Sequence, residues 1–318
     1  MTVPVIKQLL QQHPDLEVCM LSNQSFAPLF TGVERLKFIG ADLKGRHLGL
    51  KGIFRLYKDL KTTCQLTAVA DLHEVLRTKL LSLLFRFSGY RVAVVNKGRT
   101  EKKQLTKREN KVLKPLENTF SRYAAVFAKL GYSVHLTPPV LKVIPAPRAD
   151  NPLRVGIAPF AQYREKTYPA LRMKELIRMI QSNFPATVLL YGGKGAEKDL
   201  LEEWVKELPG VQNRAGVQSM PEELAEIADL DCMISMDSAN MHLASLFGVP
   251  VISVWGATHP FAGFLGWGQS PEMEVQLELA CRPCSLFGNK PCYRGDWACM
   301  EQLPPELIAA KLRAFMSV

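Results

Sequence analysis

The chain has 318 residues, 47% of them hydrophobic and 22% charged, with 40 Lys plus Arg against 30 Asp plus Glu and a formal net charge of +10. This is the composition of a globular protein, and the length suits two domains of about 150 residues, each able to bury a core. No stretch approaches the roughly 18 apolar residues that span a bilayer, and the first residues lack the order of an export signal, so a cytoplasmic protein is expected.

The first half carries a blurred α/β pattern. Thr2 to Gln12 has apolar residues at helical spacing, with Lys7 among them. Glu17 to Leu21, Arg35 to Ile39, Gln65 to Val69 and Tyr90 to Val95 read as strands. Leu72 to Phe87 and Asn118 to Leu130 read as helices, the second closed by Gly131. The pattern opens on a helix, where an α/β domain of this sort opens on a strand. The first strand of this domain is therefore expected to be missing, as if the chain begins inside its first βα unit.

Between Lys97 and Lys114, eight basic residues face two acids, Glu101 and Glu109. The plain reading is a solvated surface. The functional reading is an anion-facing strip for a lipid headgroup or a phosphorylated glycan. No nucleic-acid module accompanies it, so nucleic acid is not an expected partner.

Pro138, Pro139, Pro145, Pro147 and Pro152 break any helix between Leu136 and Pro152. A boundary there gives an N-terminal domain over 1–145 and a C-terminal domain over 152–318. The second half is clearer. Leu153 to Ala158, Thr187 to Tyr191, Cys232 to Met236 and Val251 to Trp255 read as strands. Leu171 to Asn183, Ala196 to Leu208, Pro221 to Ala228 and Asn240 to Phe247 read as helices. Their alternation predicts a parallel, doubly wound sheet with ligands at the carboxyl ends of the strands. Two such Rossmann-like domains would face a cleft.

The sharpest constellation runs from Met236 to Pro260. Asp237, Ser238, Ala239, Asn240 and His242 stand where a strand gives way to a helix, before Gly248-Val249-Pro250 and Gly256-Ala257-Thr258-His259-Pro260. Free N–H groups at such a helix start can hold a diphosphate. Taken alone, Asp237 or Ser238 would simply cap the helix and His242 would be half-buried. The ordered string, however, closely resembles the signature of glycosyltransferase family 9, the heptosyltransferases of lipopolysaccharide assembly. The resemblance is strongest over about residues 150–300 and extends more weakly through 65–135. One departure is Ala239, where the family usually has Gly.

The resemblance implies a GT-B type fold and an inverting transfer of heptose, or a similar sugar, from a nucleotide diphosphate donor such as ADP-heptose. The acceptor would be an anionic glycolipid or oligosaccharide of the lipopolysaccharide core, with peripheral contact at the inner membrane surface. No cofactor is required. In the donor site, Lys166 and Thr167 would face the phosphates, Gly192 and Gly193 would let the backbone approach the nucleoside, and Glu197 would hold ribose hydroxyls. Asp71, Lys97 and Arg99 would contact the acceptor; each read singly is solvated loop charge. The catalytic base of the family is an Asp in a Gly-Asp pair, and the resemblance puts that pair before a helix like Met1 to Ile6, upstream of Met1. An inactive nucleotide-sugar or glycan-binding protein, and a nucleotide-sugar epimerase of the same fold, are the alternatives.

Seven cysteines remain to be placed. With no export signal, disulfides are not expected. Cys281, Cys284, Cys292 and Cys299 cluster, and the opening C-x2-C is a metal-type pair. The later spacing fits no standard zinc module. Structural zinc, reduced core thiols and an adventitious disulfide are the options, and a catalytic thiol is the least favoured.

Overall fold

A computed structural model describes residues 1–316. It divides into two compact units. The first comprises Met1–Gly98 and Thr119–Thr137, and the second comprises Arg99–Asn118 and the chain from Pro138 onward. The segment 99–118, which falls inside the block 1–145, thus packs with the second unit.

The first unit runs α1 (Thr2–Gln12), β1 (Val18–Ser22), β2 (Leu36–Gly40), α2 (Gly49–Thr63), β3 (Ala68–Asp71), α3 (Leu76–Phe87) and β4 (Arg91–Val94). Helix α4 (Arg99–Leu105) then belongs to the second unit, and α5 (Thr119–Lys129) returns to the first. Strands β1 and β2 pair in parallel, as do β3 and β4, in separate two-stranded sheets. Helix α1 buries Val5, Ile6, Leu9 and Leu10. Its Gln8 and Gln12 each exchange two hydrogen bonds with the backbone, at Thr137 and His135. Two amide side chains thereby satisfy an extended segment that has no strand partner.

Helix α2 has no counterpart in the sequence reading. Its core positions Ile53, Leu56 and Leu60 sit at helical spacing, but Gly49 and Gly52 obscure them. Gly52 is required, because a Cβ there would come within 2.1 Å of the His47 carbonyl carbon. Helix α3 begins four residues later than expected. The Asp71 carboxylate accepts from the N–H groups of His73 and Glu74 and closes a turn in which Glu74 has φ of 49°.

One cysteine expectation fails here. Cys19 on β1 and Cys64, which ends α2, form a disulfide with Cα atoms 6.5 Å apart. The topology lays the end of α2 beside β1, which residues 45 apart in sequence cannot announce.

The second unit continues as β5 (Leu153–Ala158), α6 (Ala170–Asn183), β6 (Ala186–Leu190), α7 (Ala196–Glu207), β7 (Val211–Asn213), α8 (Met220–Ala228), β8 (Cys232–Met236), α9 (Ala239–Ser245), β9 (Val251–Val254) and β10 (Glu274–Val275). Short α10 (Ala298–Glu301) and α11 (Pro305–Ala314) follow. The strands form one parallel sheet in the order β10-β9-β8-β5-β6-β7. Alternate side chains enter two cores. Val155, Ile157, Val188 and Ile234 meet Met173, Leu176 and Trp204 from α6 and α7. Leu189, Met233 and Val251 meet Ile227, Met241 and Ala244 from α8 and α9. Coverage on both faces explains why these strands read as continuous apolar runs.

One helix start and one helix stop stand out. Ser219 and Glu222 make a reciprocal capping box that starts α8. Gly248 follows α9 with φ of 67°, and a Cβ there would lie 2.8 Å from the Val140 carbonyl oxygen, so only glycine fits.

Candidate donor-binding site

The strand order reverses at β5, whose neighbours are β6 on one side and β8 on the other. Loops leaving β5 and β8 therefore diverge to opposite faces and leave a crevice at their carboxyl ends. The β5 loop carries Lys166 on the short 3-10 turn Arg164–Lys166. The β8 loop carries Asp237 and Ser238. The Lys166 ammonium donates to the Asp237 carbonyl oxygen at 2.6 Å and lies 3.3 Å from its carboxylate. Both side chains are largely buried, at 13% and 9% exposure. Gly288 lies over the lysine, for a Cβ there would come within 2.5 Å of Lys166 Cγ.

Ser238 stands at the start of α9 with no side-chain cap; its hydroxyl lies 3.2 Å from that of Ser235. Ala239 is exposed and Asn240 half-buried. Asp237 is thus engaged by the lysine rather than by the helix N–H groups. His242, one turn in, is half-buried as a residue, and its Nδ1 is buried without a hydrogen-bond partner among the described residues. Burial lowers its pKa to about 3, so the ring is neutral near pH 7. The Thr258 hydroxyl, in the loop after β9, is likewise buried and unpartnered.

At the end of β6, Glu197 accepts a 2.6 Å hydrogen bond from the Gly193 N–H. A Cβ on Gly192 would press on Phe160 and Leu201 at 3.2 and 3.3 Å. Nearby, Tyr191 donates to Glu226, which Arg214 also holds at 2.7 Å. Thr167 has a local role, donating its hydroxyl to the Tyr163 carbonyl.

Arg282 is a residue that the sequence reading missed. It is buried and donates to the carbonyls of Gly256, Thr258 and Leu277 and to the Gln276 side chain. Four acceptors on one guanidinium fix the Gly256–Thr258 loop. A single arginine inside a C-x2-C motif gives no hint of this. His259 starts the next short turn by accepting from the Phe261 N–H, and burial with the Arg282 charge lowers its pKa to about 4.

The four clustered cysteines line one small cavity with Arg282, Arg294 and Trp297. Burial raises the Cys284 thiol and pushes Cys299 up to about 11, so both keep their protons near neutral pH. Among the described residues no three or more His, Cys, Asp or Glu converge closely enough to hold a metal ion. The zinc option therefore finds no ligand set.

The basic strip is drawn only in part into packing, and Lys103, Lys107 and Lys114 stay exposed. Lys102 is buried over the Phe264 ring at 4.6 Å, and Arg108 stacks on Tyr293 at 4.1 Å. Lys111 donates to the carbonyls of Ala280, Cys281 and Pro283. Internal packing consumes these cations, and spacing alone cannot foresee it. In the first unit, Asp71 and Lys97 both bind Glu74, through its N–H and its carbonyl respectively, whereas Arg99 begins α4 in the second unit.

The model of glycosyltransferase family 9 (heptosyltransferase) matches residues 53–287, well over half of the chain. The chain belongs to that family. Lipooligosaccharide heptosyltransferase 2 of Campylobacter jejuni subsp. jejuni serotype O:2 is 30% identical over 125 residues, a stretch covering 38% of this chain and 38% of that protein. The chain thus spans less than half the length of the curated relatives it matches. Among solved structures, the glycosyl transferase family 9 protein from Veillonella parvula DSM 2008 superposes with a TM-score of 0.72 at 15% identity, over 99% of this chain and 92% of that one. E. coli heptosyltransferase WaaC with ADP-2-deoxy-2-fluoro heptose gives 0.68 at 16% identity, over 98% and 94%. At such identities the likeness speaks to fold, an α/β architecture with parallel sheets of the GT-B type. The family span holds every expected donor and acceptor residue, from Asp71 to His242, and the first two clustered cysteines. No helix of the described residues is long and apolar enough to cross a membrane.

Proposed function

We propose that this family 9 protein is an inverting glycosyltransferase that moves heptose, or a closely similar sugar, from an ADP-activated donor to an anionic lipopolysaccharide-core acceptor at a membrane surface. The observation that carries the reading is the Lys166 ammonium held beside Asp237 and Ser238 at the reversal of the sheet. A donor diphosphate placed there meets one fixed positive charge and the open N–H groups before Asn240.

Charge develops on the diphosphate as the bond to the sugar anomeric carbon breaks. A preorganised cation and N–H donors act on that charge in the transition state. The Lys166–Asp237 contact holds the ammonium in place beforehand, so little reorganisation accompanies reaction. The buried Nδ1 of His242 and hydroxyl of Thr258 have no internal partner, and a polar ligand would relieve that cost, about 1–3 kcal/mol each. Gly192, Gly193 and Glu197 supply the nucleoside side, with the carboxylate turning from the Gly193 N–H to the ribose hydroxyls. Asp71 and Lys97 in the first unit, and separately Arg99 in the second, are offered to the acceptor.

Calorimetry with ADP, UDP and GDP, alone and as sugar conjugates, tests the reading. ADP and ADP-heptose should bind tightest. A preference for UDP- or GDP-sugars, or no nucleotide binding at all, would overturn the donor assignment. Binding of ADP-heptose without transfer to a lipopolysaccharide-core acceptor would leave a nucleotide-sugar-binding protein instead.

A further inference from the structure

Helix α3 turns Leu81, Ser82 and Phe85 into the core of the first unit. Its other side is also apolar. Leu76, Leu83 and Phe87 share one stripe by helical spacing and are 76%, 46% and 80% exposed. Arg77, Lys79 and Arg86 flank the stripe, all exposed; the helix holds no acid, although Glu74 before it lies 3.6 Å from Lys79.

The neighbouring helix α2 repeats the arrangement. Leu50 and Phe54 are 67% and 54% exposed, preceded by Leu48 at 63%. Lys51, Arg55, Lys58 and Lys61 project around them. The one acid of α2, Asp59, is turned to Arg46 and His47 at 2.8 and 3.1 Å. The helices touch where Tyr57 packs edge-on against Phe85 at 5.0 Å and hydrogen-bonds Ser88 at 2.5 Å. Phe54 stands one turn from Tyr57, and Phe87 is adjacent to Ser88. Both Phe54 and Phe87 are more than half exposed.

Large apolar side chains standing out of a ring of cations, with almost no acid between them, fit a surface that is negative outside and apolar beneath. A second copy of this chain would bring the same cations against each other, which charge repulsion disfavours. We infer that the α2–α3 face docks this protein on an anionic phospholipid bilayer, with Leu76, Leu83, Phe87, Leu50 and Phe54 entering the interface and the flanking Lys and Arg meeting the headgroups. This deepens the acceptor half of the function proposed above and rests on that reading only for its purpose. The face shares no residue with the donor site.

Co-sedimentation of the whole chain with phosphatidylcholine vesicles, with and without about a third phosphatidylglycerol, tests the face. The protein should pellet with the anionic vesicles and be released by salt. The L83S/F87S variant should lose at least tenfold in partitioning while its melting temperature and ADP-sugar affinity stay unchanged. Equal binding to both vesicle types, no binding to either, or wild-type partitioning of the variant would overturn the inference. So would a wild-type dimer in sedimentation that L83S/F87S converts to monomer, since the face would then join two copies. Loss of nucleotide binding in the wild-type protein would overturn the donor reading and leave the face standing.

Discussion

Lys166 and Asp237 stand 71 residues apart in sequence, yet the ammonium of one lies 2.6 Å from the carbonyl oxygen of the other and 3.3 Å from its carboxylate. Parallel strands β5 and β8 bring their loops together. Asp237 offsets the lysine charge and holds the ammonium still for the donor. K166A should weaken ADP-sugar binding by more than tenfold, the equivalent of about 1.4 kcal/mol or more, as read by calorimetry. Unchanged affinity would sink the phosphate role of the lysine.

Glu197 caps the glycine turn through Gly193. If the carboxylate also takes the ribose, E197A should weaken ADP-heptose binding about tenfold, the scale of a charge-assisted hydrogen bond, with little change in melting temperature. A lower melting temperature at unchanged affinity would make Glu197 a turn residue alone.

His242 and His259 are lowered to about 3 and about 4, chiefly by burial. The unfolded chain binds protons on these rings below pH 6.5 while the folded chain does not. Stability should therefore fall as pH drops from 6.5 toward 4. Glu274, pushed up to about 7 by burial, acts in the opposite direction between pH 4.5 and 7. The histidine share is best read by difference. H259N, which retains an acceptor for the Phe261 N–H, should show a shallower acid loss in urea titrations than the wild type. Parallel curves would refute it.

Arg282 satisfies four acceptors, two of them fully buried. R282A should destabilise by about 3 kcal/mol or more, since it strands carbonyls inside the protein. It should also weaken nucleotide binding by loosening the Gly256–Thr258 loop. R282K should recover part of the stability but not all, because an ammonium cannot span the same acceptors. Denaturant midpoints compare the three proteins.

The Cys19–Cys64 disulfide closes a loop of 45 residues. By chain entropy such a closure contributes up to about 4 kcal/mol. Dithiothreitol, or C19A/C64A, should lower the urea midpoint, and dithiothreitol should then have no effect on the double variant.

The second unit was legible in the sequence because its strands are buried on both faces and its helices keep a regular apolar spacing. Predicted and observed bounds for β5 and β8 coincide, and those of α6 to α9 differ by a residue or two. The first unit was blurred where local chemistry hid the period. Gly49 and Gly52 masked α2, and the turn built on Asp71 delayed α3. Residue types marked Lys166, Asp237 and Glu197, but not who holds whom. Arg282 and the contacts of Lys102, Arg108 and Lys111 depend on long-range packing, which a linear pattern does not encode.

The segment from Arg99 to Asn118 governs how the protein can be dissected. A polypeptide started at Pro138 would leave behind Lys102, Arg108, Lys111 and the Leu116 N–H that donates to Phe261. Phe264 and Tyr293 would lose their cationic covers, and three carbonyls around Cys281 would lose their donor. The two units are interleaved along the gene, so a single cut that keeps the first whole strips residues 99–118 from the second.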